Sequence, residues 1–371
     1  MAFFCAFVFQ SIFLGRKYVT LYILIFLPLL NIEPLLTHYI IYTSIDMEKK
    51  DLRIVFMGTP DFAVGSLQRL VENGYNVVAV VTQPDKPVGR HGSVLRPSAV
   101  KEYALAHGLP VLQPVKMKDE AFLEELRSYN ADLQVVVAFR MLPEVVWAMP
   151  RFGTFNVHAA LLPDYRGAAP INWAVINGET RTGVTTFFLD HDIDTGRIIA
   201  QREFAIPDDA DVEYVYDGLM VLGAELCTAT VDLVLQTDGN VPSQPQQESE
   251  ALHAAPKIFK ETCAVDFSLT AKRIYDFVRG LSPVPGAWCM LTPRDAEAGV
   301  AQVLKVYKAA KTGVASTDME VGTLKADNRR LFVATVDEWL EIVELQPAGK
   351  KRMAARDYLN GFKHPEDFLL K

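Results

Sequence analysis

The chain has 371 residues, of which 50% are hydrophobic and 22% are charged, and its formal net charge at pH 7 is −8. This is the composition of a folded protein rather than a disordered one, and the length is sufficient for two domains. The excess of negative charge argues against a protein that coats nucleic acids without selectivity.

The four cysteines give no sign of a metal site or a disulfide framework. Cys5, Cys227, Cys263 and Cys289 form no CxxC or CxxH pair. A reducing compartment is the expected environment for such cysteines, so we predict a cytoplasmic protein.

The first 46 residues differ in character from the rest of the chain. Two apolar runs flank Arg16 and Lys17, and each is shorter than the roughly 20 residues needed to span a bilayer. No small-residue cleavage motif of a secretory signal follows them. A mis-called start codon, a weak membrane anchor and a targeting segment are the three interpretations. We expect the first, with Met47 as the start and no membrane association.

After Met47, predicted strands alternate with predicted helices. Short apolar runs predict strands at 53–58, 76–83, 133–139 and 154–158. Apolar residues at helical spacing predict helices at 61–74, 98–108 and 121–129. This alternation is typical of an α/β fold, a doubly wound and mostly parallel sheet with helices on both faces. Sites in such folds form beyond the carboxyl ends of the strands.

The composition changes after residue 236. Residues 237–256 are polar, contain prolines and lack periodicity, so they indicate a linker. A helix is predicted at 268–281, followed by short strands at 287–291, 301–311, 330–335 and 339–347. These strands predict a small β-barrel or an open sheet. We therefore divide the chain into an apolar extension (1–46), an α/β domain (47–236), the linker (237–256) and a barrel domain (257–371).

Charge is distributed unevenly between the two ends of the chain. Residues 251–371 contain 18 basic and 15 acidic residues, whereas residues 1–250 contain 19 basic and 30 acidic ones. Such asymmetry indicates a polyanionic partner for the C-terminal part.

The segment TFNVHAALLPDYRGAAP, residues 154–170, carries the strongest candidate site. Alternation along a strand places Asn156 and His158 on one side, at the carboxyl end, and Val157 on the other. A lone histidine is more often a buried residue satisfied by a neighbour than a functional one. The site hypothesis therefore depends on what else lies near this strand.

An acidic loop, LDHDIDTG at 189–196, could place a carboxylate near His158. It lacks the distal glutamate of a calcium loop, so we predict no metal site. A carboxylate of this loop, from Asp190, Asp192 or Asp194, would orient a nearby imidazole and favour its charged form. With an amide that donates to a developing oxyanion, these groups suit acyl transfer by direct attack. Because no GxSxG elbow is present, a covalent acyl-enzyme is not indicated.

Several long motifs together resemble the folate-dependent formyltransferases. They are LRIVFMGTPDFA, VVTQPDKPVGRHG, NVHAALLPDYRGAAPINWAVINGE, TGVTTFFLDHDIDTG and LQPAGKKRM, in the family's order from about Met47 onward. The resemblance implies a formyltransferase-type, Rossmann-like catalytic domain and an OB-like C-terminal barrel. It implies 10-formyltetrahydrofolate as co-substrate and the methionine α-amino group of initiator methionyl-tRNA as acceptor.

The resemblance also implies residue roles. Asn156, His158 and Asp194 match the family's catalytic trio, which promotes direct attack of the amine through a tetrahedral intermediate. The folate-binding segment of the family maps onto Ala160, Leu161, Leu162 and Pro163, with Ala160 at a position that is commonly serine. The stretch VAFRMLP, residues 137–143, lacks the Tyr-Gly often found there.

In the family, tRNA contacts the C-terminal barrel and a loop of the catalytic domain. Arg90 falls in that loop, and Lys350, Lys351 and Arg352 form the densest basic run of the chain. Phosphate contacts by such residues give salt-sensitive affinity. No stable protein partner is implied.

Three alternatives stay open from the sequence. A formyltransferase for a small amine would not need the basic C-terminal domain, and a formyltetrahydrofolate hydrolase would use the same trio with water as acceptor. A non-catalytic RNA-binding or membrane-tethered protein would not need the trio at all.

Overall fold

The computed structural model describes residues 20–22, 40–42, 47–88, 94–295 and 299–371. Of the apolar extension it therefore describes only β1 (Thr20–Tyr22) and β2 (Ile40–Tyr42), which pair antiparallel. The predictions for the remainder of residues 1–46 and for Arg90 lie outside the described residues.

The N-terminal α/β part alternates strands and helices along the chain. In chain order its elements are β3 (Arg53–Gly58), α1 (Asp61–Glu72), β4 (Asn76–Val81), β5 (Lys86–Val88), β6 (Val94–Arg96), α2 (Ala99–Ala106), β7 (Val111–Leu112), α3 (Glu120–Ser128), β8 (Leu133–Val137), α4 (Glu144–Trp147), β9 (Thr154–His158), β10 (Arg166–Gly167), α5 (Pro170–Ile176), β11 (Arg181–Phe188), β12 (Ile198–Ala205) and α6 (Val212–Gln236).

The C-terminal part is mostly β-structure. Its elements are β13 (Ala254–Ala255), α7 (Ala271–Leu281), β14 (Ala287–Pro293), β15 (Gln302–Ala315), β16 (Leu324–Asp327), β17 (Arg330–Ala334), β18 (Glu338–Pro347), β19 (Met353–Ala354), α8 (Ala355–Tyr358) and β20 (Phe368–Leu370).

The large sheet of the N-terminal part is mostly parallel, as the sequence predicts. Its strand order within the described chain is β12-β11-β9-β8-β3-β4-β7. The strands from β9 to β7 run parallel to one another. At the other side of β9, β11 is antiparallel to both of its neighbours, β9 and β12. The carboxyl ends of β3, β8 and β9 therefore meet at one edge of the sheet.

Both faces of this sheet are covered by helices. Along β3, Ile54 and Phe56 are fully buried in the cluster that contains the apolar faces of α1 and α6. Val55 and Met57, which alternate with them, belong to the cluster with α3 and α4. A strand buried on both faces explains why RIVFMG is a continuous apolar run.

The C-terminal strands form a nearly closed antiparallel barrel, which confirms the predicted fold class. The described strands follow the order β16-β17-β18-β15-β14-β20. The outer strands meet through a bridge between Thr323 and Leu369. A second core fills this barrel, and α7 contributes Ile274 and Val278 to it.

Three long elements are not predicted by the sequence patterns: β11, β12 and α6. Strand β11 is buried on both faces and rich in threonine, so it shows no alternation. Within the described chain, one helix, α6, is long and apolar enough to cross a membrane. It packs against α1 and the sheet, with Val215 and Leu219 in the core. Apolar residues such as Val221 also lie on its exposed side, so the contrast between the two faces on which prediction depends is weak.

Helix α5 of the N-terminal part packs against α7 of the C-terminal part, and Gly280 permits this close contact. Asn172 Nδ2 donates to the Gly280 carbonyl at 2.8 Å. A Cβ at Gly280 would lie 2.8 Å from Ile176 N and 2.6 Å from its Cγ1. We expect Gly280→Ala to lower the free energy of unfolding by about 1–3 kcal/mol, measured by urea denaturation. Gly361→Ala, where the added Cβ meets nothing within 4 Å, is the control. Unchanged stability of Gly280→Ala would contradict this packing.

Candidate active site

A cleft of about 770 Å³ opens beyond the carboxyl ends of β8 and β9. Its lining includes Asn156, His158 and Asp194, with apolar side chains such as Phe62 and Leu142. This volume lies in the range of small-molecule and cofactor pockets. The position agrees with the rule that sites in open α/β sheets form at the carboxyl ends of the strands.

Side chains alternate between the two faces of strand β9, and this alternation places two of the candidate residues in the cleft. Phe155 and Val157 are buried in the core on the α1 and α6 side of the sheet. Asn156 and His158 alternate with them and line the cleft. The apolar residues of β9 thus hold the strand in place, while the polar ones face the cavity.

His158 is buried, with an exposed fraction of 6%, and both ring nitrogens have defined surroundings. Its Nε2 lies 2.9 Å from the Tyr165 carbonyl oxygen. A carbonyl only accepts, so Nε2 carries a hydrogen and donates it. Nδ1 lies 3.7 Å from Asp194 Oδ2. The free lone pair of the neutral ring is therefore on Nδ1, which can accept a proton beside a carboxylate.

Asp194 reaches the end of β9 from the loop that follows β11. Its Oδ2 accepts a hydrogen bond of 3.0 Å from Gly167 N. The loop turns tightly, because a Cβ at Gly196 would lie 1.6 Å from the Phe188 carbonyl oxygen. Asp194 itself has a left-handed backbone, with φ 57°. This turn brings the carboxylate back over His158.

Asn156 has an unsatisfied amide. Its Oδ1 atom is buried and has no hydrogen-bond partner within the described part of the chain. An orphan polar atom of this kind costs about 1–3 kcal/mol, which a substrate group would offset. The oxygen and nitrogen of an amide exchange places when χ2 turns by about 180°. Asn156 can therefore present either an acceptor or an N–H donor to a molecule in the cleft.

The predicted folate-binding residues lie just after β9, outside the lining of the cleft. Ala160 is fully buried, and its carbonyl accepts a hydrogen bond of 2.7 Å from Thr185 Oγ1. Thr185 Oγ1 also accepts from Leu162 N at 3.1 Å, and Gln201 Nε2 donates to the Leu162 carbonyl at 2.8 Å. β11 and β12 thus hold the backbone at Ala160 and Leu162. Folate binding by Leu161, Pro163 and their neighbours stays a prediction.

The predicted tRNA-binding residues of the C-terminal part lie in the connection between β18 and β19. Lys350, Lys351 and Arg352 are exposed there. The Arg352 guanidinium lies 4.6 Å from the centre of the Tyr307 ring, and its Nε donates to Glu344 at 2.8 Å. Arg352 therefore has partners within the protein.

One other cluster of the described residues has the composition of a metal site. Ligand atoms of Asp164, Glu179 and His253 lie within 4.8 Å of one another. Each is already hydrogen bonded within the protein: Glu179 accepts from the Tyr165 hydroxyl at 2.7 Å, and Asp164 Oδ2 lies 3.2 Å from His253 Nδ1. The absence of a metal stays a prediction of the sequence.

Several hydrogen-bonding groups at the site cannot be found by a search for sequence motifs. The Tyr165 carbonyl and the Gly167 N–H are backbone groups, which leave no signal in the side-chain pattern. Gln246, in the predicted linker, donates to the carbonyls of Asp194 and Gly196. Its position among other polar residues of the linker gives no local indication of a role.

Comparison with known proteins identifies the family. Residues 52–231 match the family described as formyl transferase, and residues 257–363 match the formyl transferase C-terminal domain. An N-formyltransferase from Helicobacter canadensis, solved with folinic acid and dTDP-3-aminofucose, has the same fold. It matches with a TM-score of 0.56 and 18% identity, over 79% of this chain and 98% of that one.

Sequence relatives are closer. The chain is 61% identical to the methionyl-tRNA formyltransferase of Parabacteroides distasonis over 329 residues, 87% of this chain and 100% of that protein. It is 47% identical to the methionyl-tRNA formyltransferase of Flavobacterium johnsoniae over 321 residues, 86% of this chain and 99% of that protein. The chain therefore belongs to the formyltransferase family, and within it to the methionyl-tRNA formyltransferases.

Proposed function

We propose that this chain transfers the formyl group of 10-formyltetrahydrofolate to the α-amino group of initiator methionyl-tRNA. The observation that carries the proposal is the convergence of Asn156, His158 and Asp194 on one cleft. It occurs in a chain that matches methionyl-tRNA formyltransferases through both of its parts. Formylation of initiator tRNA is a step of translation initiation, so we also propose a cytoplasmic location.

In the proposed mechanism the amine nitrogen attacks the formyl carbon directly. A carbon–nitrogen bond forms to the amine, and the carbonyl oxygen becomes an oxyanion to which the Asn156 amide donates. His158 Nδ1, 3.7 Å from Asp194, takes the proton that the amine loses. The Asp194 carboxylate stabilises the resulting imidazolium. The bond to N10 of the folate then breaks, and the same proton passes to N10.

The remaining assignments follow the family pattern. We propose, as the family pattern implies, that Ala160, Leu161, Leu162 and Pro163 contribute to folate binding next to the cleft. We also propose the division into a catalytic domain (47–236), a linker (237–256) and a tRNA-contacting barrel domain (257–371), with Arg90 in a tRNA-contacting loop.

The exposed basic run offers a direct test of tRNA binding. We expect Lys350→Ala/Lys351→Ala to weaken tRNA binding and to reduce the slope of log affinity against log salt by about 1 for each phosphate that is no longer neutralised. Binding would be measured by fluorescence anisotropy of labelled initiator tRNA over a salt series. The charge-matched control is Lys49→Ala/Lys50→Ala. These two lysines precede β3, so they lie at the amino end of that strand, whereas the cleft lies beyond the carboxyl ends. Equal slopes for the two variants would contradict tRNA binding at this turn.

The overall function is tested with the full chain and 10-formyltetrahydrofolate, with and without charged initiator methionyl-tRNA. We expect formylmethionyl-tRNA to form and the donor to be consumed only when the tRNA is present. Consumption of donor without acceptor would identify a hydrolase. Transfer to a free amino sugar or a nucleotide precursor, with no product on tRNA, would identify a small-amine formyltransferase.

A further inference from the structure

The segment between α6 and β13 is bound along the candidate active site. About midway along it, Gln244 exchanges backbone hydrogen bonds of 2.8 and 2.9 Å with Ile198, the first residue of β12. At its end, β13 pairs in parallel with β10, and the Ala255 carbonyl accepts from Ala168 N at 2.7 Å. The chain on both sides of Gln246 is therefore fixed to the catalytic part.

The side chain of Gln246 joins the two loops that build the site. Its Nε2 donates to the carbonyl oxygens of Asp194 and Gly196, both at 2.8 Å. Its Oε1 accepts from Arg166, at 3.0 Å from Nε and 2.7 Å from Nη2. Turning the amide over would place N–H donors against the guanidinium and oxygen against two carbonyls. The hydrogen bonds therefore permit one orientation only.

Asp194 needs this support because of its backbone. Its φ of 57° lies in the left-handed region, which costs energy for a residue other than glycine, although aspartate tolerates it better than most. In this conformation the carboxylate lies 3.0 Å from Gly167 N and 3.7 Å from His158 Nδ1. Relaxation of the loop to an ordinary φ would move the carboxylate away from both.

Gln246 also holds the residues on the other side of the carboxylate. Arg166, its second partner, stands between Tyr165 and Gly167. The Tyr165 carbonyl accepts the hydrogen of His158 Nε2, and Gly167 N donates to Asp194. One side chain thus joins the loop that bears Asp194 to the segment whose Gly167 N–H receives the Asp194 carboxylate.

We propose that Gln246 is a positioning residue for formyl transfer, an inference that rests on the function proposed above. It lies outside the lining of the cleft and acts on the reaction through Asp194. The linker to the tRNA-contacting domain is, by this assignment, part of the catalytic apparatus.

The first test measures kcat and KM of two variants of the full chain. We expect Gln246→Ala to lower kcat about tenfold, since it removes two hydrogen bonds to the Asp194 loop, and to leave both KM values unchanged. Gln246→Glu keeps an acceptor for Arg166 but has no N–H for the carbonyls, so we expect a similar decrease. The matched control is Gln247→Ala, at the adjacent exposed glutamine, which should retain the original kcat.

A double-mutant cycle separates positioning from a general loss of structure. In an Asp194→Asn background, we expect Gln246→Ala to lower kcat by less than about twofold, because the carboxylate through which it acts is already gone. A further tenfold decrease in that background would overturn the inference. So would a Gln246→Glu variant with the original kcat, or an effect confined to KM.

A second test needs no substrate. The Gly167 amide donates to Asp194, so its hydrogen exchange reports whether the carboxylate is in place. We expect faster exchange in Gln246→Ala and unchanged exchange in Gln247→Ala. If the original chain fails to formylate methionyl-tRNA, the proposed function is wrong, yet this exchange still decides whether Gln246 holds Asp194. Unchanged exchange in Gln246→Ala would overturn the positioning role.

Discussion

Replacing His158 by alanine is expected to lower kcat for formyl transfer by about 10²–10⁴-fold, the range for loss of a general acid or base. Nε2 is engaged by the Tyr165 carbonyl, and Nδ1 lies beside Asp194, so the ring has one nitrogen available for proton transfer. The ring is buried and its contacts are internal, so we expect the KM values for folate and tRNA to change little. Single-turnover kinetics with charged initiator tRNA would measure the effect on chemistry directly.

The control for this prediction is His107→Ala. His107 is an exposed histidine at the end of α2, where it stacks on Tyr103. Helix α2 contacts β7, which is separated from β9 in the sheet by β8, β3 and β4. We expect it to keep the original kcat. A His158→Ala protein that is folded and retains more than about a tenth of the original kcat would rule out a proton-transfer role for His158.

Asn156→Ala is expected to lower kcat by about 10²–10³-fold, as is typical for removal of one oxyanion donor. We expect the same substitution to leave the stability of the fold unchanged or to increase it. Because Asn156 Oδ1 is buried without a partner among the described residues, its removal eliminates a desolvation cost. We expect the midpoint of urea unfolding to stay the same or rise while activity falls. This combination distinguishes a site residue from a structural one.

Asn156→Asp tests which end of the amide the reaction uses. Aspartate has nearly the same shape but no N–H donor, so a role in oxyanion stabilisation predicts a decrease in kcat at least as large as that of Asn156→Ala. Retention of kcat in Asn156→Asp, together with its decrease in Asn156→Ala, would show that the acceptor oxygen is what matters. The proposed donor role would then be wrong.

Local sequence patterns were sufficient for the elements whose burial is regular. The apolar run RIVFMG predicts β3 at its observed bounds, Arg53–Gly58, and TFNVH predicts β9, Thr154–His158. Alternation along β9 also places Asn156 and His158 on the same side. The patterns did not predict β11, because it is buried on both faces and shows no alternation. They did not predict α6, because apolar residues such as Val221 lie on its exposed side as well as on its buried one.

The sequence alone determined the fold class and the family, because strand and helix periods are local and the formyltransferase motifs are long and occur in order. It also identified Asn156, His158 and Asp194 as candidates. Only the tertiary structure decided how these residues meet: which nitrogen of His158 faces Asp194, that Asn156 Oδ1 has no partner among the described residues, and that Gln246 ties the two loops together. These relations depend on backbone carbonyls, backbone N–H groups and a left-handed φ. The amino-acid sequence does not show any of these features, since each arises when segments distant in sequence pack against one another.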